Sequence, residues 1–442
     1  MKEHNITAPK AIDQYIQNGI HKGKQYKKRK RQGYTSMIAT LGLALLLVTC
    51  IKVSPAFANA VRDIPGLSAI VELIEGDKGL EDAVENDFIH QINSSDIHSE
   101  ITFSIDHIIV DQARMILFYS IKTEREHNFL FLKDLELFGD GEPLMASISY
   151  GAPKESVDLQ KNKQMNGKIV ATFSDQIDVP DELTVSTQFK ARTIQNKIPD
   201  QGSILDAAWK VKFAINDEWY KNTREEIAID KEVKIDGQTM HFEKAVIDPT
   251  LTAIYVKFDP QNEMQLFTFD DLKIVDDSGE VWSPPDGLVS TGSDDKFILY
   301  YESPHFRTPK ELYLKGSSIR AIDEDEQTIV VDLTNKKLTK APSDGRIQLK
   351  DLQVVGDRVE LEFAVKVEPQ DEYHIYEIFN QQPINLDSSV QHGRTLKTWQ
   401  KPEENKVVHK FSINNPDRKT KIVLELKDYP SRLVEPFKIQ VK

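Results

Sequence analysis

ITFSIDHIIVDQARMILFYSIK, residues 101–122, alternates apolar and polar side chains on both sides of a short turn that contains Asp111. In a strand, side chains two apart share a face, so this stretch reads as a β-hairpin with one face turned to a core. The same plan recurs as MHFEKAVIDPTLTAIYVKF at 240–258 and as IQLKDLQVVGDRVELEFAVKV at 347–367. Each copy places an aspartate, Asp111, Asp248 or Asp357, at its tight turn. A carboxylate there caps backbone N–H groups, so the structural role comes first.

Working outward, FLKDLELFGDGEPL at 131–144 matches FDDLKIVDDSGEVW at 269–282, with Gly141 and Gly279 in equivalent turns. Pro180-Asp181-Glu182-Leu183 matches Pro309-Lys310-Glu311-Leu312, each opening a strand. The expected closing strands are WKVKFAI at 209–215, TIVVDL at 328–333 and FKIQV at 437–441. Short strands with turns every 8–12 residues or so are the pattern of immunoglobulin-like sandwiches. The expectation is a mainly β chain with three tandem immunoglobulin-like β-sandwich domains at residues 94–220, 224–336 and 342–442. The only cysteine is Cys50, so no disulfide within the chain and no cysteine-based metal site can be built.

The N-terminal part is of a different kind. Residues 37–51, MIATLGLALLLVTCI, follow the basic cluster KQYKKRKRQ at 24–32. Positive residues stay cytoplasmic, which predicts a basic inside tail (1–35), a single transmembrane helix (36–58) and an extracytoplasmic C-terminus. The apolar run is shorter than the roughly 20 residues that span a bilayer, and Val53 to Ala58 can extend it. Ala56-Phe57-Ala58 also fits a signal-peptide cleavage box, which leaves a secreted binding protein as an alternative. Within the tail, Ile12, Tyr15, Ile16 and Ile20 recur at helical spacing. That stripe suits either a lipid surface or the groove of a cytoplasmic partner. Residues 59–93 read as a juxtamembrane helical segment in two pieces, the second from about Gly79 to Ile92.

Charge follows the same division. Residues 1–35 carry nine Lys/Arg and two Asp/Glu, a net of +7. Setting +7 against the formal total of −14 leaves −21 for the remainder. A surface so acidic repels phosphate backbones, so no nucleic-acid partner is expected.

The sequence contains no zinc-protease motif, no nucleophile elbow and no phosphate-cradling glycine loop. The acidic clusters at Asp276-Asp277, Asp294-Asp295 and Asp323 to Glu326 match no calcium-loop spacing and read as solvated turns. The expectation is a non-enzymatic protein without cofactor, metal site or catalytic residues.

VSPAFANAVRDIPGLSAIVELIEGDKGLEDAVEN, residues 53–86, resembles the membrane-proximal part of a bacterial membrane-anchored family of unknown domain function. Members are sometimes described as negative effectors of extracytoplasmic-function sigma factors. The resemblance implies a regulator of anti-sigma type, with a cytoplasmic sigma factor as partner and an extracytoplasmic ligand of unknown chemistry. The chain departs from that picture in one respect: 35 inside residues are too few for a zinc-type or four-helix anti-sigma domain. An envelope adhesion or scaffolding protein with no cytoplasmic partner is the alternative.

Overall fold

The computed structural model describes residues 67–442, apart from 125–128, 152–162, 174–177, 193, 196–197, 200–201, 285–290, 294–295, 369–377, 381–382, 385–392 and 402–404. The expected tail helix with Ile12, Tyr15, Ile16 and Ile20, and the expected transmembrane run, lie outside the described residues. Among the described residues, no helix is long and apolar enough to cross a membrane.

Two short helices open the described chain, α1 (Leu67–Ile74) and α2 (Lys78–Glu85). Gly76, at φ 89°, makes the left-handed corner that ends the first. Asp77 caps the second, its carboxylate accepting from the Leu80 N–H at 3.1 Å. The second helix is shorter than the spacing of Leu80, Val84 and Phe88 suggests. It stops at Glu85, and residues 90–98 are already a strand. Asp87 has φ 58°, a conformation no helix contains.

From there the chain is β-sheet. The first unit has one sheet in the order β1 (His90–His98), β2 (Ile101–Val110), β3 (Arg114–Thr123), β7 (Gln164–Phe173), β6 (Ala146–Tyr150). Its second sheet runs β11 (Ser203–Ala214), β8 (Glu182–Arg192), β4 (Phe129–Gly139), β5 (Glu142–Pro143), with a separate minimal pair of β9 (Ile194–Gln195) and β10 (Ile198–Pro199). Both main sheets feed one apolar core, with Phe103, Tyr119 and Ile169 from one side and Phe189 and Trp209 from the other. The Trp209 indole N–H donates to the Ile101 carbonyl at 3.0 Å, a tie between the two sheets.

The second unit repeats this order. One sheet is β12 (Glu225–Ile235), β13 (Gln238–Ile247), β14 (Leu251–Phe258), β19 (Lys296–Glu302), β18 (Thr291–Ser293). In the other, β20 (Leu312–Asp323) is central. Along one edge it pairs with β15 (Met264–Phe269) and β16 (Lys273–Asp276), the latter continued by β17 (Val281–Trp282). Along its other edge it pairs with β28 (Arg432–Gln440). In that order β28 takes the place that β11 holds beside β8.

The strand 437–441 was expected to close the third copy, and the structure corrects this. Leu433, Ile439 and Val441 belong to the second core. The strand expected to close the second copy, 328–333, is β21 (Thr328–Asp332), and its Ile329 and Val331 are buried in the third core. The third unit is therefore an insertion between β20 and β28. It consists of a sheet β22 (Lys337–Lys340), β21, β27 (Lys421–Glu425) and a sheet β23 (Ile347–Val355), β24 (Arg358–Lys366), β26 (Lys406–Asn414), β25 (Gly393–Lys401). Alternation says which face of a strand is apolar but not which partner covers it, so two alternating strands exchanged units without any change in their pattern.

A buried charge cluster marks the passage from the second unit into the third. Arg320 lies 3.5 Å from Asp270 and 3.2 Å from Asp428, and Arg432 donates to Asp270 at 2.6 Å. Burial pushes the Asp428 carboxyl up to about 6, against the pull of Arg320.

Two expected outcomes follow from this topology. Ile439→Asp puts a charge into the second core and should cost about 3 kcal/mol or more. Hydrogen exchange should then show lost protection in β20 while β24 and β26 stay protected. If the loss fell on β24 and β26, the strand assignment would be wrong. Asp428 also predicts a pH dependence. The folded chain keeps a proton that the unfolded chain, at 3.8, releases, so this group's stability is full below pH 3.8 and lost as pH rises through about 6. In denaturant titrations, Asp428→Asn should gain on the order of 2 kcal/mol over the parent between pH 4 and pH 7, at about 1.36 kcal/mol per unit. An unchanged difference across that range would contradict the buried carboxyl.

Candidate functional site: a buried joint beneath the second helix

The first two aspartate turns have the same backbone. The Asp111 N–H donates to the Arg114 carbonyl at 3.0 Å, and the Asp248 N–H donates to the Leu251 carbonyl at 2.9 Å. Their carboxylates do different things. Asp111 Oδ1 accepts from the N–H groups of Ala113 and Arg114, both at 2.9 Å, which is the expected capping of its own turn. Its Oδ2 reaches the other unit and accepts from Thr250 N at 2.8 Å and Thr250 Oγ1 at 2.6 Å. Asp248 instead takes a two-pronged ion pair from Arg224 at 2.8–3.2 Å. The tips of the first two hairpins thus meet, and Asp111 and Thr250 are fully buried between them.

Arg114 completes the joint. Its guanidinium donates to Thr250 Oγ1 at 2.9 Å, to the Thr250 carbonyl at 2.8 Å and to Asp77 Oδ2 at 3.0 Å. Asp77 is also the cap of α2, so one buried arginine connects that helix to both hairpins. The approach is close. A methyl group on Gly79 would stand 2.6 Å from the Thr250 carbonyl oxygen and 3.0 Å from Ser303 N, so a residue with no Cβ is required there.

The rest of α2 is held by the second unit. Glu302 accepts from Lys78 N and Ser283 N, each at 3.0 Å, and burial raises its carboxyl above the ordinary range. Lys78 Nζ donates to Glu280 at 3.1 Å and to the Val281 carbonyl at 2.8 Å. Arg307 donates to Asp82 at 2.9 and 2.5 Å. Burial outweighs that arginine and leaves the Asp82 carboxyl raised. Phe88 contacts Phe306 with ring centroids 5.6 Å apart, and His90 stacks on Trp219 at 4.4 Å.

Chemically this is a network of buried donors and acceptors around a helix end. Among the described residues, no group of three or more His, Cys, Asp or Glu could hold a metal ion. Of the acidic clusters, Asp276 caps a turn, accepting from Ser278 N, Ser278 Oγ and Glu280 N at 2.7–2.9 Å. The tail residues Ile12, Tyr15, Ile16 and Ile20 lie outside the described residues. Sequence reading found Asp111 and Asp248 through the repeat but missed Arg114, Thr250, Asp77 and Glu302. The only local signal was a charged residue inside an otherwise apolar strand opening, at Arg114.

Residues 27–123 match a domain of unknown function (DUF4179), and residues 224–350 match a family of unknown function (DUF5643). The joint straddles both: Asp77, Asp82, Asp111 and Arg114 fall in the first match, and Asp248, Thr250, Glu302 and Arg307 in the second. No curated protein matches the chain. Among solved structures, the conserved domain protein from Bacillus anthracis is similar at 14% identity, over 60% of this chain and 87% of that one, with a TM-score of 0.39.

Removing the arginine tests the joint. Arg114→Leu leaves Asp77 without its buried cation and the Thr250 carbonyl without its guanidinium donor, and should cost about 3–5 kcal/mol. Limited proteolysis should then cut between α2 and β1 well before it cuts within β2 or β3. Parent-like stability and cleavage would show that the joint holds nothing.

Proposed function

We propose that the chain is a non-enzymatic, single-pass membrane protein. Its N-terminus is cytoplasmic, and its extracytoplasmic part is built of immunoglobulin-like β-sandwiches. We infer further that it acts as a regulator of anti-sigma type. The tail helix restrains an extracytoplasmic-function sigma factor, and a ligand on the outer units alters that restraint.

One observation carries this reading. The helix α2 is held by buried polar contacts to both the first and the second sheet units, through Asp77, Arg114 and Thr250. A shift between those two units must strain or release Asp77 and the start of α2. In sequence, α2 lies downstream of the apolar run and the basic cluster. Support for the inside tail comes from that basic cluster and from the Ile12, Tyr15, Ile16 and Ile20 stripe. The stripe is too narrow to form a core of its own and needs a surface or a groove.

The test uses the full chain with a C-terminal tag. Fractionation should recover full-length protein in membranes, whereas a soluble species beginning at Asn59 would mean cleavage after Ala58. Ile16→Asp with Ile20→Asp should then raise a sigma-dependent reporter severalfold at unchanged membrane levels. An unchanged reporter at normal levels would overturn the restraint and favour an envelope scaffold.

A further inference from the structure

A sheet edge leaves a row of backbone donors and acceptors for another strand to meet. In the first unit β1 is not open in this way. It lies against β11, with Ser94 Oγ donating to the Lys212 carbonyl at 3.0 Å and Lys210 N donating to Asp96 at 2.8 Å. The other edge of that sheet is β6, and among the described residues only β7 pairs with it.

β6 lacks the usual protections of an edge. Pro143 to Pro153, PLMASISYGAP, is a run of 11 residues without a charged side chain, the longest beyond residue 58. Ser147, Ser149 and Gly151 are exposed, and Met145 and Tyr150 are 73% and 45% exposed. The repeat supplies the contrast. β18 holds the same place in the second unit, has only three residues, and is followed in sequence by Asp294-Asp295. Short edge strands and flanking charges prevent pairing between molecules, and β6 has neither device.

The register shows which backbone groups face outward. Phe173 N donates to the Ala113 carbonyl, on the β3 side, at 2.9 Å. Thr172 and Val170 therefore turn toward β6, where they stand opposite Ser147 and Ser149. By the same alternation Ala146, Ile148 and Tyr150 turn their backbone groups to the open edge. The Ala146 N–H is taken by the Leu144 carbonyl at 3.0 Å. The side chains of Ala146 and Ile148 rest on the first core, which fixes the strand in place.

We propose that β6 is a contact between two copies of this chain, paired antiparallel about a two-fold axis through Ile148. Ile148 is the midpoint of the strand and faces the edge, so it exchanges both backbone bonds with its counterpart, and each Tyr150 N–H donates to the Ala146 carbonyl across the axis. Ser147 then faces Ser149, and the exposed Met145 faces Gly151, where a methyl group would meet nothing within 4 Å. A second copy is as acidic as the first, and this register keeps its approach free of charge over the whole strand. In sequence the run is bounded by Glu142 and Lys154, each six residues from Ile148, so the segment is charge-complementary to itself in antiparallel order. A five-residue ladder is a small contact, which holds best between copies already concentrated in one place.

The reading is independent of the sigma-factor proposal, because its test reads association and not transcription. The full chain is used in detergent with Cys50→Ser, and Ser147→Cys and Ser149→Cys are made separately, each with its own tag. Facing positions in a non-hydrogen-bonded pair stand about 4.5 Å apart at Cα and can be bridged, whereas like positions lie on a diagonal of about 7–8 Å and cannot. Mild oxidation of the mixed variants should therefore give several times more cross-linked dimer than either variant alone. In sedimentation at high protein concentration, Ser147→Asp with Ser149→Asp should weaken the dimer at least tenfold with unchanged thermal unfolding, since both serines are exposed. Mixing that variant with Ser147→Lys and Ser149→Lys should restore association. Gln348→Asp with Gln353→Asp, the same charge change on the edge strand β23, should have no effect. A parent that stays monomeric, equal cross-linking in the mixed and unmixed samples, or an Asp variant as dimeric as the parent would each overturn the proposal.

Discussion

The Asp111 carboxylate accepts four hydrogen bonds, two from its own turn and two from Thr250, in a place water does not reach. A buried carboxylate left with fewer partners would cost several kcal/mol, so this site permits only a narrow range of arrangements of the two hairpins. Thr250 in turn offers its hydroxyl and carbonyl to Arg114, and Arg114 reaches Asp77. The entry helix, the first unit and the second unit are therefore positioned by one chain of contacts. Gly79 is required because the Thr250 carbonyl already occupies the space that a side chain would take.

The second constraint is that β20 has two edges to satisfy. One is covered by β15 and β16, and the other would be an open row of backbone donors and acceptors without β28. The chain leaves after Asp323, builds a complete unit, and returns at Arg432 to fill that edge. The buried cluster of Arg320, Asp270, Asp428 and Arg432 sits where the chain leaves and returns. The first two units and the entry helix form a connected frame, and the inserted unit joins the second where β20 and β28 lie side by side.

The repeated aspartate turn illustrates how one local motif acquires three roles. At Asp111 the carboxylate also caps its own turn, accepting from the N–H groups two and three residues on. Which partner the carboxylate reaches beyond its turn depends on the neighbour: Thr250 for Asp111, Arg224 for Asp248 and Arg418 for Asp357. No spacing in the sequence encodes those neighbours, which lie 139, 24 and 61 residues away.

The sequence alone determined the strands, their faces and the repeat. Alternation in 101–122, 240–258 and 347–367 became β2–β3, β13–β14 and β23–β24, and the Pro-x-Glu-Leu openings became β8 and β20. It also determined the acidic body and basic start, because charge is a property of composition. Tertiary structure decided the partners. The strands at 328–332 and 432–440 have the same alternating pattern, and only the free edge of β20 and the shape of each core select where they go. It decided the joint as well, since Arg114, Thr250 and Asp77 are unremarkable until two hairpin tips and a helix cap converge. Periodicity is a local signal with a range of a few residues, whereas a sheet edge and a buried charge are satisfied by whatever the fold brings to them.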